Sequence, residues 1–176
     1  AAKAPPWVPR ALQMSGVYAG KLWTAGGQDL LGPQDDFAYH NDVWSTDDGV
    51  TWTEVVPDAP ASDTRWAGCG VLDGLVEFHG EMWLVGCARY RDDGAPHTMS
   101  NEVWSTTDGA VWKKHATPPW VGKSWPNVLV WDDKLWILFG FTYGDPANGW
   151  SAGNANEAWS SKDGETWESL PVDAPV

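Results

Sequence analysis

Three aspartates recur in one setting: Asp48 in Ser45-Thr46-Asp47-Asp48-Gly49-Val50-Thr51-Trp52, Asp108 in Ser105-Thr106-Thr107-Asp108-Gly109-Ala110-Val111-Trp112, and Asp163 in Ser160-Ser161-Lys162-Asp163-Gly164-Glu165-Thr166-Trp167. Carboxylates repeated in register suggest catalytic acids. The glycine after each one argues for a different job. An Asp side chain accepts N–H bonds from the backbone two residues on, and Gly takes the positive φ that a Cβ resists, so the set reads as hairpin turns. Asp48, Gly49 and Trp52, Asp108, Gly109 and Trp112, and Asp163, Gly164 and Trp167 are therefore expected to be structural, on outer hairpin tips away from any ligand.

Chemistry is better sought where the copies disagree, because recognition residues concentrate on variable loops. The segments 28–40, 88–100 and 141–155 carry Asp35, Asp36, Phe37, Tyr39 and His40; Arg89, Tyr90, Arg91, Asp92, Asp93 and His97; and Phe141, Tyr143, Asp145 and Trp150. His40 and His97 with these carboxylates would suit a transition metal, and the carboxylates alone Ca²⁺. Their spacing matches no tight metal motif and a solvated acidic surface accounts for them, so no metal and no other cofactor is expected. The segments that join the copies add Trp7, Trp66, Trp120 and Trp125. Aromatic faces interspersed with polar groups are what a sugar or small polar ligand requires. The candidate ligand-binding residues are Trp7, Tyr39, His40, Trp66, Tyr90, Arg91, Asp93, His97, Trp120, Tyr143 and Trp150. The competing account is that these rings staple long loops or pack at a seam between chains. No catalytic residue is assigned, and His79 and His115 receive no role.

The elements that must position these residues follow from a longer repeat. An apolar run precedes each Asp-Gly copy: Leu22-Trp23-Thr24-Ala25-Gly26-Gly27, Met82-Trp83-Leu84-Val85-Gly86-Cys87 and Leu135-Trp136-Ile137-Leu138-Phe139-Gly140. Both series keep nearly the same spacing, so insertions fall in loops and three units emerge, roughly 1–60, 61–119 and 120–176. In the first unit, alternation of faces predicts strands over 13–18, 21–25, 41–45 and 51–55, with turns at Ala19-Gly20 and Thr46-Asp47-Asp48-Gly49. No segment reads as a helix. Each unit is expected to be a four-stranded antiparallel sheet that cannot bury its apolar face alone.

Nine of the 15 Trp occupy repeat positions: Trp23, Trp83 and Trp136; Trp44, Trp104 and Trp159; Trp52, Trp112 and Trp167. Burying an indole removes about 150–250 Å² from water, which is worth on the order of 4–6 kcal/mol as an upper bound. These nine are read as core. Composition agrees: 43% of residues are hydrophobic, and 19 Gly with 13 Pro punctuate short apolar runs. A net charge of −13 with four Arg and seven Lys excludes a phosphate-binding surface, so no nucleic acid is expected. No stretch has the length of a membrane span, so no membrane partner is expected either.

The repeat resembles kelch-like and Asp-box β-propeller blades on two counts: the Ser/Thr-x-Asp-x-Gly-x-x-Trp turn, and the Leu-Trp-x-x-Gly-Gly and Asn-Asp-Val-Trp strands at 22–27 and 41–44. The resemblance implies an all-β chain of three propeller blades. It leaves the job open, since such propellers include oxidases, sialidases, epimerases, lectins and scaffolds. A sialidase needs three clustered Arg and a Tyr nucleophile. Of Arg10, Arg65, Arg89 and Arg91, the first two follow Pro-rich linkers at matching positions and read as structural. A copper radical oxidase needs a Tyr joined to a free Cys, and Cys69 and Cys87 are better spent on each other. Their disulfide would contribute roughly 3 kcal/mol and place the chain in an oxidising compartment, secreted or periplasmic. Two buried thiols are the alternative. An Ala1-Ala2 start fits the scar of a removed signal peptide.

Propellers close with about four to eight blades. Three would leave two apolar faces open, and both ends of the chain break the repeat in the same phase. A homodimer is expected, blade three of each chain packing on blade one of the other to close six blades; a fragment or a subunit of a larger ring is the rival. The expected function is a secreted binding module, lectin-like or scaffold-like, that holds a carbohydrate or small polar ligand at the channel mouth. The alternative is a carbohydrate-active hydrolase, lyase or isomerase at the same place.

Overall fold

In the computed structural model, which describes residues 5–29, 39–70, 74–89, 98–143 and 152–170, the chain is all-β. Three four-stranded antiparallel sheets follow one another along the sequence, and no helix occurs among the described residues. Sheet I runs β1 (Met14–Tyr18), β2 (Lys21–Gln28), β3 (Tyr39–Thr46) and β4 (Thr53–Val56) in order. Sheet II repeats the meander with β5 (Val76–Phe78), β6 (Glu81–Arg89), β7 (Thr98–Thr106) and β8 (Lys113–Lys114). Sheet III uses β9 (Asn127–Trp131) and β10 (Lys134–Leu138), then β13 (Ala158–Ser161) and β14 (Glu168–Leu170). A separate pair, β11 (Phe141–Thr142) and β12 (Gly153–Asn154), lies between them in sequence. The arrangement is consistent with a blade-type fold.

The first turn of every sheet has positive φ at both central residues: 49° and 74° at Ala19-Gly20, 50° and 76° at His79-Gly80, 51° and 54° at Asp132-Asp133. That is the turn whose twist matches the flanking strands of a tight hairpin. The Trp of the second strand then folds back over it. Trp23, Trp83 and Trp136 each donate Nε1–H to the carbonyl five residues earlier, at Tyr18, Phe78 and Trp131, over 2.8–2.9 Å.

Neighbouring sheets meet through these indoles. β1 lies beside β5 and β5 beside β9, so the first strands share one edge of the stack. Farther out, the turn glycine of one sheet covers the Trp of the sheet before it. Gly109 (φ 76°) sits on the Trp23 ring and Gly164 (φ 74°) on the Trp83 ring, where an added Cβ would overlap the indole. The Tyr18 hydroxyl reaches the carbonyls of Gly80 and Thr107 in sheet II, 2.9 and 3.0 Å away. Two apolar cores result, one between sheets I and II around Trp23, Leu84 and Trp112, the other between sheets II and III around Trp83, Ile137 and Trp167.

Differences from the sequence reading have local causes. β4 starts at Thr53, later than expected, because Asp48 captures the amides of Val50 and Thr51. In sheets I and II the second strand runs on through a bulge at Gly26 or Gly86, both at positive φ. Phe139 stands there in sheet III at φ 55°, a conformation that costs an L-residue about 1–2 kcal/mol, and the strand divides into β10 and β11. Of the nine repeat Trp, five are buried, while Trp44, Trp52, Trp136 and Trp159 are half-buried. All four belong to the two end sheets.

Candidate functional site

The Asp-Gly turns are built alike. Asp48 Oδ1 accepts the amides of Val50 and Thr51 at 2.8 and 2.7 Å, Asp108 those of Ala110 and Val111 at 2.8 and 3.0 Å, and Asp163 those of Glu165 and Thr166 at 2.9 and 2.8 Å. Thr46, Thr106 and Ser161 each donate a hydroxyl to the same oxygen and accept the following turn amides. Two amide bonds hold the charged form of Asp48 strongly enough to lower its pKa to about 2 from an ordinary 3.8. Such a carboxylate is a poor proton donor near neutral pH.

A second repeated carboxylate sits at the start of the third strand. Asp42, Glu102 and Glu157 each accept the indole N–H of the Trp two residues on, at 2.8, 3.2 and 2.9 Å. In sheets I and III the other oxygen meets a buried cation three residues past the joining Trp. Arg10 lies 2.6 Å from Asp42 with 4% of its side chain exposed, and Lys123 bonds Glu157 with 1% exposed. Arg10 and Arg65 are thus not equivalent, contrary to the sequence reading: Arg65 precedes its Trp and donates to the carbonyls of Asn41 and Pro57. Cys69 holds the position of Arg10 and Lys123 in sheet II. It is joined to Cys87, Cα atoms 5.9 Å apart, and a disulfide is consistent with an oxidising, extracellular or periplasmic compartment.

The candidate ligand residues scatter. Tyr90, Arg91, Asp93, His97 and Trp150 lie outside the described residues. Trp66 and Trp120 are 2% exposed, edge-on to Trp112 and Trp167, so they are core rather than platforms at a rim. Trp7 is half-buried and packs on Trp44 and Trp52. Tyr39 lies under the Arg89 guanidinium, 5.9 Å from its ring centre. Tyr143, 39% exposed, meets Phe141 edge-on at 5.0 Å. His40 bonds Asp58, and with Asp42 the three place ligand atoms within 4.8 Å of one another. Those oxygens are already engaged, Asp42 by Arg10 and Trp44, Asp58 by the amides of Asn41 and Asp42. The cluster pins the start of β3.

The structure also assigns residues that the sequence reading left idle. His115 is buried between Ser105 Oγ (2.8 Å) and Glu165 (2.7 Å) and stacks on Trp83, which ties sheet II to the turn of sheet III. His79 reaches Asp133 at 2.9 Å across the same seam.

The joining segment has a slot on the preceding sheet. Asn41 donates to the carbonyl of Trp66, Cys69 N–H to His40 and Gly27 N–H to Cys69, so residues 66–69 are stitched to the ends of β2 and β3. Asn101 repeats this with Pro118 and Trp120. On sheet III the corresponding residues, Phe139, Gly140, Phe141 and Asn156, instead line an open groove of about 520 Å³ with Trp125.

Among solved structures, the chain is similar to that of YjhT, with a TM-score of 0.70 and 18% sequence identity over 99% of this chain and 56% of that one. No family model and no curated protein matches it. At this identity the likeness speaks to the fold alone, and the chain spans a little over half the length of YjhT.

Proposed function

We propose that this chain is half of a propeller-type binding module, kelch-like with Asp-box turns, secreted or periplasmic, and completed by a second copy of itself. The observation that carries the reading is the slot on sheet III, which none of the described residues fills. The seam between sheets I and II fills three places: a joining Trp carbonyl on the Asn, a turn Gly on the second-strand Trp, and a joining segment across the bulge; the seam between sheets II and III repeats the first two. At the open end Asn156 is exposed, Trp136 is only partly covered and Trp131 is 64% exposed. At the other end nothing lies within contact of a Cβ built on Gly49, and Val50 is 64% exposed. The two ends are complementary. Trp136 would seat under Gly49 of the partner as Trp23 seats under Gly109, and residues 7–10 would enter the groove as residues 66–69 enter theirs. A two-fold axis satisfies both seams at once.

The ligand surface is the end of the ring that bears the three long segments. Tyr39 with Arg89 and the exposed Tyr143 supply an aromatic and cationic start to it, which fits a carbohydrate or small polar molecule. Native mass settles the closure: two chains are expected, and Gly49→Arg, which blocks the seat of Trp136, should give one. A well-folded wild-type chain at single mass overturns it. A glycan array run beside a hydrolysis assay addresses the ligand. Binding without turnover is expected, and turnover would replace the binding module by a carbohydrate-active enzyme.

A further inference from the structure

Sheet II differs from its neighbours at one buried position, and the difference leaves a hole. In sheets I and III the stem of a long cation lies across a glycine, Arg10 over Gly27 and Lys123 over Gly140, and its head reaches the strand-three carboxylate. In sheet II both members of that pair are cysteines. The Cys69–Cys87 bridge fills the place of the stem but stops short of Glu102. A cavity of about 210 Å³ remains, walled by Trp66, Leu84, the disulfide, Arg89, Glu102 and Trp104. That is below the roughly 300–1,000 Å³ of a drug-sized pocket and matches one long side chain.

We propose that this cavity receives an alkylammonium or alkylguanidinium group, the chemistry that Arg10 and Lys123 supply within their own sheets. The aliphatic stem would lie along Leu84 and the disulfide, with Trp66 and Trp104 beside it, and the head would donate to Glu102. Two cations border the cavity and neither enters it as Arg10 and Lys123 enter theirs. Arg89 donates Nε–H to the Gly68 carbonyl and stands over Tyr39. Lys114 reaches Glu102 from β8, with 44% of its side chain exposed and its ammonium over the Trp104 ring. A carboxylate offers about four acceptor sites, so Glu102 can take a further donor while holding Trp104 and Lys114. The site lies between sheet II and the segment that joins it to sheet I, within one chain, and does not depend on ring closure.

Calorimetric titration with n-butylammonium, n-butylguanidinium and the neutral n-butanol tests it, and a lysine-containing peptide against its alanine counterpart asks whether a free amine or a protein side chain is the better source. Both cations should bind the wild-type chain and butanol should not. Glu102→Gln should weaken the cations about tenfold or more, as loss of a charge-assisted bond requires, and Lys114→Ala should strengthen them by removing the competitor. Cys69→Lys with Cys87→Gly, which copies Lys123 and Gly140, should fill the cavity and abolish binding. Equal binding of butanol, no binding by both wild type and Lys114→Ala, or binding unchanged by Glu102→Gln would overturn the proposal.

Discussion

Several carboxylates of this chain have been taken out of acid chemistry by the backbone. The amides of Thr51 and Val50 hold Asp48 at about 2. Amides likewise lower Asp108, through Val111 and Ala110, and Asp163, where Thr166 acts most strongly. The Ala116 amide lowers Glu165. Burial raises Asp58, but the His40 bond and the amides of Asn41 and Asp42 outweigh it, so this group too is lowered. All five shifts have one sign. Between about pH 4 and pH 2 the unfolded chain takes up protons that the folded chain refuses, so stability present above that window is lost as the pH falls through it. Denaturation followed from pH 7 to pH 2 should give a plateau and then a decline. Asp163→Asn keeps an acceptor for both amides and should flatten the decline; Asp163→Ala loses the acceptor and should cost about 1–2 kcal/mol at neutral pH, as removal of a capping side chain does. An unchanged acid limb in Asp163→Asn would show that this turn does not contribute to it.

At the scale of elements, the same glycine in three turns meets three environments. Gly109 and Gly164 are buried against Trp rings and Gly49 faces open space, although their φ values are 76°, 74° and 72°. Alanine at any of them carries the left-handed penalty of about 1–2 kcal/mol. At Gly164 it must also push on Trp83, and overpacking adds roughly 1–3 kcal/mol. Thermal or chemical melts of the single chain should therefore place Gly164→Ala below Gly49→Ala, and equal losses would mean that the turn does not bear on Trp83. Strand order, the Asp-Gly turns and the indole positions were legible in the sequence because turn chemistry and strand alternation are local and three copies repeat them. The buried bolt was not. Arg10, Cys69 and Lys123 share no chemistry, and only the hydrogen bonds of the residues after them, Ala11 with Gln28, Gly70 with Ala88 and Ser124 with Phe141, reveal one position. Trp66 and Trp120 were misplaced for a related reason: an aromatic beside Pro and Gly reads as a surface platform until the turn Trp of the same unit is seen packed against it.

For the whole molecule, closure must work against charge. Each chain carries −13, and bringing two such halves together opposes association at low ionic strength. The seams would gain by covering Trp136, Trp131 and Val50, an apolar contribution that salt does not screen. Raising the salt from about 10 to about 150 mM shortens the Debye length from roughly 30 to 8 Å, so repulsion fades while the apolar term stays. Sedimentation at a series of chain concentrations should then show the dimer forming at lower concentration in the higher salt. Dissociation by salt would mean that ion pairs hold the seams, which would contradict a closure made by Trp136 beneath Gly49 and residues 7–10 in the groove of Phe139 and Asn156.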